Sequence, residues 1–171
     1  SGVLPLTVSF TDTSTNGPDG RAWFFGDENY TAAWTQVKGN NADGWSGRYD
    51  HTSVVTLNGT ILLMGGASDS STQLNDTWAS MDNGATWSLV NASSGWSPRG
   101  SFTSVVLRDG SIVIMGGGKE WSSNCQNDVW RSIDNGTSWT LQNASAGWAK
   151  RWGHTSVALP DDSILLTGGY D

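Results

Sequence analysis

Short runs of alternating apolar and polar residues, each closed by a Gly-containing turn, organise this chain of 171 residues. In the middle of the sequence, Ser101 to Leu107 predicts a strand, A, and Arg108-Asp109-Gly110 predicts a hairpin turn. Ser111 to Met115 predicts strand B, which ends on Gly116-Gly117. After a longer loop, Asp128 to Ile133 predicts strand C. Asp134-Asn135-Gly136 then turns the chain into strand D, Ser138 to Gln142. Asp-Gly and Asn-Gly at the two hairpins are expected to supply the positive φ of primed turns.

This pattern recurs along the chain. Arg48-Tyr-Asp-His-Thr-Ser, Arg99-Gly-Ser-Phe-Thr-Ser and Arg151-Trp-Gly-His-Thr-Ser open equivalent segments, their arginines 51 and 52 positions apart. Trp45, Trp96 and Trp148 keep the same step, as do Trp34, Trp87 and Trp139 to within a residue or so, while Trp23, Trp78 and Trp130 make a third set. Nine of the eleven tryptophans are thereby repeat-locked, leaving Trp121 and Trp152 outside the pattern. Four antiparallel strands in about 51 residues describe one β-propeller blade. The expected fold class is all-β, built of such blades.

Composition agrees with that reading. Ser and Thr number 40, Gly 22, and Asp outnumbers Glu fourteen to two with only three Lys, so turn and strand formers dominate over helix formers. A net charge of −7 without a basic run speaks against a nucleic-acid partner. The longest apolar stretch, Ile61-Leu62-Leu63-Met64, is far too short for membrane insertion as a helix. A lone Cys125 excludes an internal disulfide and a cysteine-based zinc site.

Three family resemblances rest on these residues. The Gly-Gly pairs closing strand B (Gly65-Gly66, Gly116-Gly117, Gly168-Gly169), each with a Trp downstream in the two complete copies, resemble kelch repeats. Ser80 to Trp87 and Ser132 to Trp139 resemble the Asp-box, Ser-x-Asp-x-Gly-x-x-Trp. There Asp82 and Asp134 are expected to accept backbone N–H bonds inside the turn, with Gly84 and Gly136 left-handed. Leu4-Pro-Leu-Thr-Val-Ser-Phe-Thr-Asp-Thr-Ser followed by Ala22-Trp-Phe-Phe-Gly-Asp is similar to part of a polycystic kidney disease (PKD) domain. The combination resembles surface-layer-type proteins of methanogenic archaea. It implies a propeller fold at the cell surface and no particular activity.

The repeats divide the chain into a PKD-like edge segment (1–21), a half blade (22–38), blades at 45–91 and 96–143, and a half blade at 148–171. That makes three blade equivalents with one split between the ends. Propellers close with about four to eight blades, so three cannot form a ring. Either the chain is a piece of a longer repeat protein, or copies complete each other's split blade. Self-association would then give a six-bladed dimer, or a fibre where the geometry does not close.

Candidate chemistry is sparse. Arg48, Arg99 and Arg151 resemble the carboxylate-binding arginine cluster of sialidases, but one repeat-locked position favours a structural role. The nucleophile pair and acid that sialidases need are not recognisable with only Glu28 and Glu120 present. His51 and His154 share a position with Phe102, which points to a buried ring and not to a ligand, and Cys125 has no neighbouring Tyr for a copper-oxidase site. Asp27, Asp82 and Asp134 lack the dense oxygen spacing of a Ca²⁺ loop. No metal, cofactor or catalytic residue is expected.

What varies is more informative than what repeats. Loops 67–76, 118–128, 91–101 and 143–153 are expected on one face, where Tyr49, Gly100 and Trp152 differ at one position and Trp121 projects beside Lys119 and Glu120. Tyr49, Trp121 and Trp152 are the candidate ligand-binding residues, with sugar rings as a fitting partner. Six Asn-x-Ser/Thr sequons, at Asn29, Asn58, Asn75, Asn91, Asn135 and Asn143, favour a glycosylated extracellular protein. The expected role is non-catalytic: structure, adhesion or self-assembly outside the cell. The alternatives are a carbohydrate-binding module and, further off, a glycoside hydrolase.

Overall fold

The computed structural model describes residues 44–119 and 124–171, which fall within one compact unit, Gln36–Asp171. Residues 1–43 and 120–123 lie outside the description, and with them the PKD-like segment, the half blade at 22–38, Asp27, Asn29 and Trp121. Ten strands are described: β1 (Thr52–Val55), β2 (Ile61–Ala67), β3 (Gln73–Ser80), β4 (Ser88–Asn91), β5 (Thr103–Val106), β6 (Ile112–Met115), β7 (Val129–Ser132), β8 (Thr140–Asn143), β9 (Trp152–Ala158) and β10 (Ile164–Tyr170). They form two four-stranded antiparallel sheets, β1-β2-β3-β4 and β5-β6-β7-β8, and a two-stranded sheet of β9 and β10. The first strands of the three sheets are neighbours, β1 against β5 and β5 against β9.

The alternation read from the sequence sets these strands, but the two kinds of hairpin differ. Between β3 and β4, Asn83 (φ 57°) and Gly84 (φ 89°) are both left-handed and the Ala85 N–H donates to Asp82 O, the two-residue primed turn expected of Asn-Gly. Asn135 and Gly136 repeat it between β7 and β8. Between β1 and β2 and between β5 and β6 the expectation of a primed turn fails. Only Gly59 and Gly110 have positive φ, and the Gly59 N–H donates to Thr56 O while the Thr56 N–H donates to Thr60 O. This is a type I turn followed by one left-handed residue, a geometry in which Asn58 and Asp109 cap the next strand. Their Oδ1 atoms accept from the Thr60 and Ser111 N–H groups at 3.2 and 2.9 Å.

Apolar side chains fill the two spaces between sheets. Leu62, Met64, Ala79, Trp96, Phe102, Ile112 and Ile114 form one core, flanked by Val54, Val106, Trp130 and Trp139. Val105, Val113 and Met115 form the second, against Trp148, Ile164 and Leu166. Because successive strand residues point to opposite faces, β6 serves both cores and is buried along its whole length. Backbone bonds run from repeat to repeat: Ser101 N–H to Asp50 O, Gly153 N–H to Ser101 O, Gly66 N–H to Arg99 O and Gly117 N–H to Arg151 O.

Candidate functional site

The repeat-locked arginines Arg48 and Arg99 carry charge into the protein, their side chains buried. Arg99 enters from the loop before β5 and is 2% exposed. Its Nη1 and Nη2 bind both oxygens of Asp128, the latter at 2.8 Å, while Nη1 also donates to Gly116 O (2.9 Å) and Nε to Ser97 O (3.0 Å). The indole Nε1 of Trp130 donates to Asp128 Oδ2 at 2.8 Å. Burial works against ionising Asp128, but the bonds and charge of Arg99 and the Trp130 N–H hold its carboxyl below the usual carboxylate range. Arg48 builds the same unit with Asp76 at 2.6 and 3.0 Å, and Trp78 Nε1 donates to Asp76 at 2.8 Å. These guanidinium groups face protein carboxylates.

Asp76 and Asp128 went unnoticed in the sequence, although a signal exists. Each stands two residues before the strand C Trp, 28 and 29 residues after its arginine. Asn75 and Asn127 are a second pair missed as structural. Asn75 Nδ2 donates to Trp96 O (2.9 Å), and Asn127 Nδ2 donates to Trp148 O and Ala146 O (both 3.0 Å). Each ties the start of strand C to the Gly-Trp of the following repeat. A glycan on Asn75 would take one of the two Nδ2 hydrogens that donate to Trp96 O and Ser93 Oγ. Asn91 Nδ2 likewise donates to Thr137 O at 2.9 Å. Asn58, Asn135 and Asn143 are exposed.

The acidic turns are internally bonded. Asp82 Oδ1 accepts from Thr86 N–H (2.8 Å) and Ser80 Oγ (2.9 Å), Oδ2 accepts from Thr86 Oγ1 (2.6 Å), and Gly84 N–H donates to Ser80 Oγ (2.8 Å). Led by the Thr86 hydroxyl, these donors lower the Asp82 pKa to about 2. Asp134 is held by Ser138 N–H (2.9 Å), Ser138 Oγ (2.5 Å) and Ser132 Oγ (2.8 Å), and Gly136 N–H donates to Ser132 Oγ (2.9 Å). Its partial burial opposes ionisation, yet these donors prevail and its pKa is lowered. Among the described residues no group of three or more His, Cys, Asp or Glu is placed to hold a metal ion. Burial raises the pKa of the Cys125 thiol.

The aromatic candidates lie at one end of the first strands. Tyr49 is 47% exposed and bridges Ala67, whereas Gly100 bridges Gly118 at the corresponding place in the next repeat. In the third repeat Trp152 pairs across the strands with Tyr170, and the rings stack with centroids 5.0 Å apart and planes at 24°. Tyr170 is 64% exposed and was not singled out from the sequence. The antiparallel register that pairs strands A and B through their turn is what would have revealed it.

Four-stranded antiparallel sheets, neighbours along their first strands and closed by Gly-Gly at strand B, define a kelch-type β-propeller repeat protein. The chain belongs to the DUF6242 beta propeller domain family, whose pattern matches residues 6–142. It is also similar to the F-box/kelch-repeat protein At1g51550 of Arabidopsis thaliana, 28% identical over 151 residues. That match takes in 80% of this chain and 30% of the plant protein's length.

Proposed function

We propose that this chain is a non-catalytic interaction module of a secreted or cell-surface protein, with a structural, adhesive or assembly role. The observation that supports this most is the repeated Arg–Asp–Trp unit. The guanidinium groups of Arg48 and Arg99, the best candidates for gripping an anionic substrate, are buried against Asp76 and Asp128. The charged chemistry of the repeat thus holds each sheet together, and contact surfaces are left to the residues that vary. The exposed sequons and the PKD-like segment favour a home outside the cell.

A second reading, a carbohydrate-binding module, is favoured by the stacked Trp152–Tyr170 pair, in which Tyr170 is exposed and Trp152 half-buried, since aromatic rings suit the C–H faces of sugar rings. One set of measurements on the chain addresses both. Binding to a glycan array, or concentration-dependent self-association by light scattering, is expected without turnover of fluorogenic glycosides. Glycan binding that disappears in Trp152→Ala, with an unchanged thermal midpoint, would favour the carbohydrate reading. Turnover that survives repurification would overturn the non-catalytic one.

A further inference from the structure

The turn between strands A and B is built three times. The Gly59 N–H donates to Thr56 O (2.9 Å), the Gly110 N–H to Leu107 O (3.0 Å) and the Asp162 N–H to Leu159 O (3.0 Å). The residue before each of these donors caps the next strand, and in the second and third copies it is Asp. Asp109 Oδ1 accepts from Ser111 N–H (2.9 Å) and Ser111 Oγ (2.6 Å), and Asp161 Oδ1 from Ser163 N–H (3.0 Å) and Ser163 Oγ (2.6 Å). These donors, the Ser hydroxyl first, hold both carboxyls below the ordinary carboxylate range. In the first copy the residue is Asn58, followed by Gly59, and its Oδ1 accepts from Thr56 Oγ1 (2.5 Å) and Thr60 N–H (3.2 Å).

We propose that Asn58 is a self-modification site, at which the chain converts its own Asn to Asp through a cyclic imide. The Gly59 amide nitrogen, its proton taken by hydroxide, attacks Asn58 Cγ and forms a C–N bond. The carboxamide nitrogen leaves as ammonia, with a proton from water. A second water then opens the imide, at one carbonyl to Asp and at the other to isoaspartate. Attack places negative charge on Oδ1, where the Thr56 hydroxyl and the Thr60 N–H already donate, as the donors of an oxyanion hole do. The same hydroxyl lies 3.0 Å from Thr60 O, so it is held from both sides. Because Thr60 follows Gly59, a carboxamide bonded to its N–H is turned toward the Gly59 peptide, and Gly59 brings no side chain against the attack.

The Asn-Gly pairs at Asn83 and Asn135 set the comparison. There too the glycine N–H is held, by Ser80 Oγ (2.8 Å) and Ser132 Oγ (2.9 Å), so the nucleophile is restrained in all three turns. Among the described residues no donor reaches Oδ1 of Asn83 or Asn135, and the two donors on Oδ1 are what single out Asn58. The product also suits its place, since Asp109 and Asp161 make the same strand-capping bond. Conversion adds one negative charge and removes the acceptor amide of the sequon at Asn58. This goes beyond the contact role proposed above and does not depend on it.

The test incubates the folded chain, produced without glycosylation, in mildly alkaline buffer. Chromatography with peptide mass spectrometry follows Asn, Asp and isoaspartate at each site. In the folded chain Asn58 is expected to convert about tenfold or more faster than Asn83 and Asn135, whereas in urea the three sites are expected to convert at similar rates. Thr56→Val is expected to remove most of that advantage and Thr56→Ser to keep it. Asn83 and Asn135 are the internal check in each variant, because unfolding would speed all three sites alike. Asn58→Asp is expected to unfold at the same urea concentration as the unaltered chain. Conversion of Asn58 no faster than that of the other two sites overturns the proposal, as does an advantage that Thr56→Val leaves intact. A lowered urea midpoint for Asn58→Asp overturns the assignment of Asp as the product the turn accepts. The comparison of sites in the unaltered chain decides the matter even where Thr56→Val disturbs folding. Failure here leaves the glycan and self-association measurements above unaffected.

Discussion

His154 packs its ring against Trp148, centroids 6.0 Å apart, in the place where the middle repeat has Phe102. It is 6% exposed, and neither ring nitrogen has a well-formed hydrogen bond. Burial lowers its pKa; the Met115 backbone partly offsets this and the Arg151 charge adds to it. Since its ordinary value is 6.5, the unfolded chain takes up this proton before the folded one does. Stability is therefore expected to fall as pH drops below about 6.5, and His154→Phe is expected to flatten that part of the curve. Urea midpoints of both proteins between pH 8 and pH 5 check this. Gly84 and Gly136 separate two glycine requirements. Both have positive φ, but a Cβ on Gly84 enters open space, whereas one on Gly136 would stand 2.7 Å from Thr77 Cγ2 of the preceding sheet. Gly84→Ala should cost about 1–2 kcal/mol for the backbone conformation, and Gly136→Ala more, as thermal unfolding would show.

The Arg–Asp–Trp unit ties together the loop before strand A, the end of strand B and the start of strand C. Removing one partner leaves a buried charge unpaired, so Asp128→Asn is expected to cost about 3–5 kcal/mol. The joint replacement Arg99→Met with Asp128→Leu removes both charges and should recover much of that loss. Denaturant titration of the two variants compares them directly. The β3–β4 hairpin has its own acid dependence. Asp82 is held at about pKa 2 by the Thr86 and Ser80 donors, against an ordinary 3.8. Its contribution is present above the ordinary value and lost as pH falls through the folded one, a window below that of His154.

Burial across the described sheets is uneven. β6 lies within both cores, while β8 and most of β10 are exposed. Backbone amides that open only when both cores open exchange last. Hydrogen exchange is therefore expected to be slowest at Val113 and Ile114 and fastest along β8 and β10, which mass spectrometry of peptic fragments would resolve. Uniform protection of all ten strands would mean that the sheets open as one unit.

The strands, their antiparallel order and the C–D turns were legible in the chain alone, because alternation and Asn-Gly act locally and each repeat states them again. The Gly-Gly pairs were legible for the same reason. Three features were not: the first depends on strand register, and the other two join residues that lie apart in sequence. The A–B turns follow the register of β1 with β2 and of β5 with β6, and there only Gly59 and Gly110 are left-handed. Asp76 and Asp128 repeat in the sequence, but their pairing with the arginines is made only when strand C is laid beside strand B. Tyr170 becomes part of an aromatic pair only through its pairing with Trp152. Local pattern thus determines which residues form strands and turns, whereas the packing of one strand against another decides which charges are satisfied and which aromatic faces remain open to solvent.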